Sequence, residues 1–390
     1  MQNLLQNKKL KIGFGLLGLY LVSAGISYFA FSFLGNTGAQ LSPAGLDQKR
    51  AGIDTTGPKT EECPINGKKF TKAEREIWEG RRPLSVMIEN HSESRPQSGL
   101  SSADVVYEAI AEGGVTRFMA VFYCGASSDE TQVGPVRSAR VYYMDWASEY
   151  GEYPLYAHVG GANKAGPANA VGSNGNVDKF GWRLYNDLDQ FSIGFPTFWR
   201  DYERLGRVVA TEHTMYSTTD KLWKIAAERD LTQKDKDGEA WDENFVKWKF
   251  EEGKPNSTPS KNKISFPFWE GYGVYAVEWN YDATSNTYSR VNGGQPHKDF
   301  NLDAPITTSN VVVMFTRAKG PIDELKHMLY DTIGTGKALF FQNGTVVEGT
   351  WKKESRSTRT KFTDKQGKDI SLVRGNIWIE VLDPTTKVEY

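Results

Sequence analysis

The chain has 390 residues, of which 39% are hydrophobic and 13% aromatic, including 11 Trp. That composition excludes a disordered chain and suits about two to three packed domains. The formal net charge is -1, from 47 Lys plus Arg against 48 Asp plus Glu. A balanced charge lacks the basic surplus of a nucleic-acid binder, so any charge-based function is local.

Residues 1–11 hold Lys8, Lys9 and Lys11, and residues 12–35, "IGFGLLGLYLVSAGISYFAFSFLG", hold no charge. A bilayer core needs roughly 20 apolar residues, so this run reads as a transmembrane anchor. The lysines before it keep the N-terminus cytoplasmic and put the rest outside, a single-pass cell-membrane protein. A cleaved signal peptide is the alternative, with Thr37-Gly38-Ala39 as its small-residue site. Its apolar region would usually be only about 7–15 residues. No Cys lies near the end of the run, which argues against lipid attachment.

Residues 36–70 read as a flexible stalk, since most of them are small and polar without apolar periodicity. Thr71 and Glu74 form a capping-box pattern before a short helix within 71–83. Residues 71–231 then alternate in an α/β manner. "LSVMIEN" (84–90), "TRFMAVFYC" (116–124) and "PLYAHVGG" (154–161) read as strands, and "TDKLWKIAAERDL" (219–231) as an amphipathic helix. "SSADVVYEAIAEGG" (101–114) fits a helix or a strand. "GPVRSARVYYMDWASEY" (134–150) predicts a helix from Pro135, with Ala139, Tyr142, Tyr143, Trp146 and Tyr150 on its apolar face. Arg137 and Arg140 then fall in the first turn, where the helix dipole disfavours cations.

Residues 232–263 are charged and then rich in Asn, Ser and Pro, as in a linker or exposed insert. Residues 264–390 read as a mostly β domain, with a hairpin turn at Asn343-Gly344 and another turn at 364–367. The expected fold class is thus an α/β extracytoplasmic domain followed by a β-rich domain, after one transmembrane helix.

Cys63 and Cys124 are the two cysteines. Outside the cell an even pair suggests a disulfide, the alternative being two buried thiols. Neither a zinc site nor any other metal or cofactor is expected, because the cysteines are far apart and no histidines cluster.

Several polar clusters sit where strands should end. Glu89, Asn90 and His91 close the first strand, and Arg95 lies in the following loop. Glu108, Glu112, Gly113-Gly114 and Arg117 form a second cluster, and Arg137 with Arg140 a third. His158, Gly160 and Gly161 suggest a backbone anion nest, and His213 can face the same cleft. Arginine forks suit carboxylate or phosphate, so these residues read as an anion site. The plainer reading is an internal network in which the arginines pair with Glu89, Glu108 or Glu112. Glu89, Glu112 and His158 are the candidates for a catalytic role. No P-loop or nucleophile-elbow spacing is present.

The segments "RRPLSVMIENHSESRPQSGLSSADVVYEAIAEGGVTRFMAVFY", "VGPVRSARVYY" and "AHVGGAN", with "VNGGQPHKDF", "GTGKALFFQNGTVVEGTWKK" and "LVRGNIWIEVL" further on, resemble the YerB-like family of DUF3048 domains. The resemblance covers residues 80–390 and implies a bacterial protein outside the cell membrane, of uncharacterised biochemistry. At one position where the family carries His-Asn, this chain has His213-Thr214. A fainter likeness in architecture to LytR-CpsA-Psr phosphotransferases is an analogy only. The expected function is an anchored protein binding an anionic cell-wall or lipid-linked ligand. An envelope enzyme acting on a phosphorylated or glycan substrate, and a scaffold for envelope proteins, are the alternatives.

Overall fold

The computed structural model describes residues 48–49 and 53–390. The expected anchor at 12–35, and residues 36–47 and 50–52 of the expected stalk, lie outside the described residues. Among the described residues no helix is long and apolar enough to cross a membrane.

Residues 53–70 are not a stalk. Cys63 and Ile65 are fully buried, Glu61–Glu62 pairs with Lys69–Phe70, and Cys63 is disulfide-bonded to Cys124 with a Cα–Cα distance of 6.0 Å. Helix α1 (Lys72–Glu79) begins where the capping pattern places it: the Glu74 amide donates to Thr71 Oγ1 and the Thr71 amide to Glu74 Oε2. Thr71→Ala is expected to cost about 1 kcal/mol, read as a lower urea midpoint with an unchanged slope.

One ten-stranded mixed sheet forms the frame. Its strands are β1 (Leu84–Glu89), β2 (Val105–Glu112), β3 (Val115–Phe122), β4 (Leu155–His158), β5 (Asp187–Asp189), β6 (Asn310–Phe315), β7 (Gly334–Gln342), β8 (Thr345–Lys353), β9 (Lys361–Asp364) and β10 (Ile377–Leu382). The spatial order is β5-β4-β1-β3-β2-β10-β6-β7-β8-β9. The last strand, β10, runs parallel to both β2 and β6. It thereby joins the N-terminal and C-terminal halves into a single sheet. Strands β1, β6 and β10 are buried throughout, which explains their near-continuous apolar runs. A second sheet, built on Lys263–Phe266, Val277–Asp282 and Thr287–Asn292, belongs to the C-terminal half.

The molecule is mostly β, with fewer helices than the expected α/β layering. Residues 105–112, ambiguous in the sequence, are strand β2. Gly113 and Gly114 (φ 55° and 86°) turn it into β3, and a Cβ on Gly114 would meet the Tyr272 ring at 2.8 Å. Asn343 and Gly344 (φ 51° and 63°) turn β7 into β8 as expected.

The arginine-bearing helix differs most from expectation. Helix α2 spans Val141–Ala147, not 135–150. Residues 133–139 are held extended because their backbone is claimed by neighbours. The Arg137 amide donates to the Met87 carbonyl at 2.9 Å and the Ala139 amide to Gly160 at 2.9 Å, while Val136 bridges Ile88. Tertiary hydrogen bonds outweigh the local helical pattern here. Helix α3 (Thr219–Glu228) is capped by Thr218. Residues 232–263 are more than a linker: Trp241 and Trp248 are buried, and Lys249–Glu251 pairs in parallel with Ser371–Val373.

Candidate functional site

The predicted site residues separate into three groups. In the first, strand ends bring carboxylates against the arginines of the 133–140 segment. Glu112, last in β2, accepts from Arg117 Nη2 and Arg140 Nη2, both at 2.6 Å. Arg117 also donates to the Ser138 carbonyl at 3.3 Å, and Arg140 to Ala139 at 2.7 Å. Burial by itself would raise the Glu112 carboxyl, but the Arg117 and Arg140 charges outweigh it and hold it at about 2. Glu89, last in β1 and buried, accepts from Arg137 Nε at 3.0 Å and meets His213 Nδ1 at 2.8 Å. The bond to Glu89 raises the His213 pKa above its ordinary value.

The second group is an internal lock between the halves. Asn90 is fully buried, donates to Glu108 and Thr116, and accepts from Arg95, Gln97 and Asn292. Arg95 spends its other nitrogens on the Asn90 and Val274 carbonyls. Glu108 pairs with Arg290 of the C-terminal half, not with Arg137 or Arg140. Burial, followed by the Glu108 charge, pushes the Glu380 carboxyl well above its ordinary value. His297, placed by the sequence only in a turn, is buried, and its two ring nitrogens meet Arg290 and Gln97. These contacts leave Asn90, Arg95 and Glu108 with structural work.

The third group is the predicted nest. His158 is fully buried, with Nε2 at 2.6 Å from Asp187 and Nδ1 at 2.8 Å from the Gly160 carbonyl. Burial would lower its pKa, but the Asp187 bond and charge raise it on balance. The Gly160 amide already donates to Asp189 Oδ1 at 2.9 Å, so an internal carboxylate fills the nest. A Cβ on Gly161 would press on Ala139 at 3.1 Å, which ties its small size to the close approach of two backbones.

Two neighbouring cavities open beside the first group. One of 580 Å³ is lined by Arg137, Ser138, Gly160, Gly161, Asp189, Arg200 and Glu212 among others. The second, of 210 Å³, shares Ser138, Gly161 and Asn163 with it and adds Arg140, Lys164, Asp323 and His327. Sequence reasoning placed His91 in the first cluster but missed Lys164, Arg200 and Glu93 as members of a site. Lys164 stands in the same Gly-rich loop as Gly161, which was the available signal. His91 meets His213 across 122 residues of chain, their rings stacked at 4.7 Å, and no local pattern carries that contact.

The comparisons agree with this architecture. The family described as "Protein of unknown function (DUF3048) N-terminal domain" matches residues 70–232, and its C-terminal counterpart matches residues 264–379. A Bacillus subtilis (strain 168) protein named "Putative lipoprotein YerB" is 30% identical over 339 residues, 86% of this chain and 89% of that protein. A crystal structure of the YerB protein from Bacillus subtilis is similar with a TM-score of 0.66 at 26% identity. It covers 85% of this chain and all of that one.

Proposed function

We propose, from the premise that this chain belongs to the YerB-like family of paired DUF3048 domains, that it is an envelope-associated protein binding an anionic ligand in the cleft beside Arg137 and Arg140. The relative's name as a lipoprotein and this chain's own apolar run at 12–35 support the location. In this reading that run is a single-pass anchor, with the cleft outside the membrane. The ligand carries phosphate or carboxylate and is part of a cell-wall polymer or a lipid-linked precursor.

The observation that carries the ligand reading is a set of arginines, two of them buried, at the walls of the two cavities. Among the described residues, Arg117, Arg137 and Arg140 make direct ion pairs only with Glu89 and Glu112, while Asp189 and Asp323, which line the same cavities, are bonded to the Gly160 amide and to His327. Arg140 is 5% exposed, its Nε has no hydrogen-bond partner among the described residues, and it lines the smaller cavity beside Lys164. A buried cation without full compensation is costly, and an anion entering between Arg140 and Lys164 would complete the set. Binding is favoured over catalysis because none of the three candidate groups is available as a base. Glu112 is ionised and held at about 2, which makes it a weak base. Glu89 is shared by Arg137 and His213, and His158 is sealed between Asp187 and Gly160.

Titration of the full-length protein in detergent with pyrophosphate, and separately with a muramoyl peptide, tests this by calorimetry. Saturable binding of one probe is expected, weakening with added salt. The exposed Lys164→Gln change should weaken it by about 10-fold, since a charge-assisted hydrogen bond is worth roughly 1.5–3 kcal/mol. Absence of saturable binding to both probes, or an unchanged affinity in Lys164→Gln, overturns the reading.

A further inference from the structure

We propose that His91, Glu93 and His213 form a binding site for one divalent transition-metal ion, zinc being the best suited, with Glu89 holding His213 from behind. One donor atom from each of the three residues lies within 4.8 Å of the others. They come from two short turns: His91 and Glu93 follow β1, and His213 ends the 3-10 turn Thr211–His213.

His213 is oriented as a metal ligand is. Its Nδ1 is spent on Glu89 Oε2 at 2.8 Å, which leaves Nε2 for another partner, and Glu93 Oε2 stands 3.8 Å from it. A carboxylate behind a histidine fixes the tautomer and raises the basicity of the ligating nitrogen, the arrangement found around zinc-bound histidines. The His91 ring is stacked on it at 4.7 Å and 10°, with Nδ1 accepting from the Glu93 amide at 3.3 Å, so His91 must turn out of the stack to aim its Nε2 at a shared ion. Two imidazoles and one carboxylate make a nitrogen-rich donor set. Such a set suits zinc and its neighbours and not magnesium or calcium, which prefer oxygen ligands in larger numbers.

Access and charge also fit. The Glu93 side chain is 54% exposed and that of His213 only 6%, so an ion can enter from solvent and be held against a rigid floor. Zinc bonds of about 2.0–2.2 Å require the donors to draw closer than they stand, which takes a swing of the exposed Glu93 side chain and a rotation of the half-buried His91 ring out of its stack on His213. Glu89 and Glu93 supply two negative charges. Arg137 offsets one of them from the far oxygen of Glu89. Arg207 meets only the Glu93 carbonyl, from an exposed position. With three protein ligands, a fourth position is left to water or to an external group.

The test uses full-length, tag-free protein stripped with a chelator and titrated with zinc alone against a competing indicator. One equivalent is expected to bind, and cobalt in its place should give a visible d–d band. His91→Ala and His213→Ala should each weaken binding at least about 100-fold, and Glu89→Gln about 10–100-fold through the supporting shell. His91 is half-buried and caps the following turn through Nδ1, so its variant should show only a small drop in unfolding midpoint and still unfold cooperatively, which separates lost ligation from lost folding. No retained zinc in the wild-type protein, or wild-type affinity in a folded His91→Ala variant, overturns the site.

Discussion

Loss of the Cys63–Cys124 bond is expected to lower the unfolding free energy by about 4 kcal/mol, the chain-entropy value for a loop of about 60 residues. The two cysteines are 61 positions apart, so the bond removes a large share of the unfolded chain's freedom. Cys63 is also the anchor of a small buried cap. Its amide donates to the Lys68 carbonyl, Gly67 returns a bond to it, and Ile65 is fully buried beside it. Next to this cap lies Asp104, which accepts from the Asn66 side chain at 2.7 Å and from the Tyr123 and Gly125 amides at 2.7 and 3.0 Å. Burial pushes its carboxyl up to about 7. Without the disulfide, residues 53–70 should open first and expose that group. A Cys63→Ser, Cys124→Ser double variant compared with the oxidised protein in urea reads the loss, and limited proteolysis should cut within residues 53–70. An unchanged midpoint would refute the assignment.

Replacing Glu112 is expected to be at least as damaging. Glu112→Gln removes the only carboxylate among the described residues that Arg117 and Arg140 contact directly, leaving two buried guanidinium groups against each other. Breaking a buried pair by deleting one partner costs about 3–5 kcal/mol. The pH dependence follows from the sign of the shift. Glu112 sits at about 2 in the folded protein against an ordinary 4.5. Its contribution is therefore complete above pH 4.5 and is lost as pH falls from 4.5 towards 2. Denaturant midpoints measured down that range should fall for the native protein. The Glu112→Gln protein starts lower and should lose less over the same interval. Parallel curves would show that Glu112 does not carry this part of the acid sensitivity.

The capping box of α1, the buried strands β1 and β3, the Asn343-Gly344 hairpin and the cysteine pair could be read from the sequence. Each depends on residues within a few positions, or on simple apolar runs. The start of α2 could not. Its apolar spacing from Ala139 onwards is helical, but the backbone of residues 133–139 is taken by β1 and by the Gly160 loop. Arg137 therefore lies outside the helix, and Arg140 is its N-terminal cap. That boundary removes the conflict with the helix dipole for Arg137, whereas Arg140 stays at the positive end and is compensated by Glu112. The arginines thus meet Glu89 and Glu112, as one of the two sequence readings allowed.

The sequence by itself determined the family, the cysteine pair, the buried strands β1 and β3 and the residue types available to a site. Those rest on local pattern and composition. Tertiary structure alone decided which polar residues share a site. Strand β10 enters between the halves and carries Glu380 to Glu108 and Arg290, which removes Glu108 from the cleft. Asp189 fills the nest at Gly160. His91 and His213, 122 positions apart, stack over Glu89. Pairings of this range depend on sheet order and on which buried charge reaches which partner first, and neither quantity is written in any local stretch of chain.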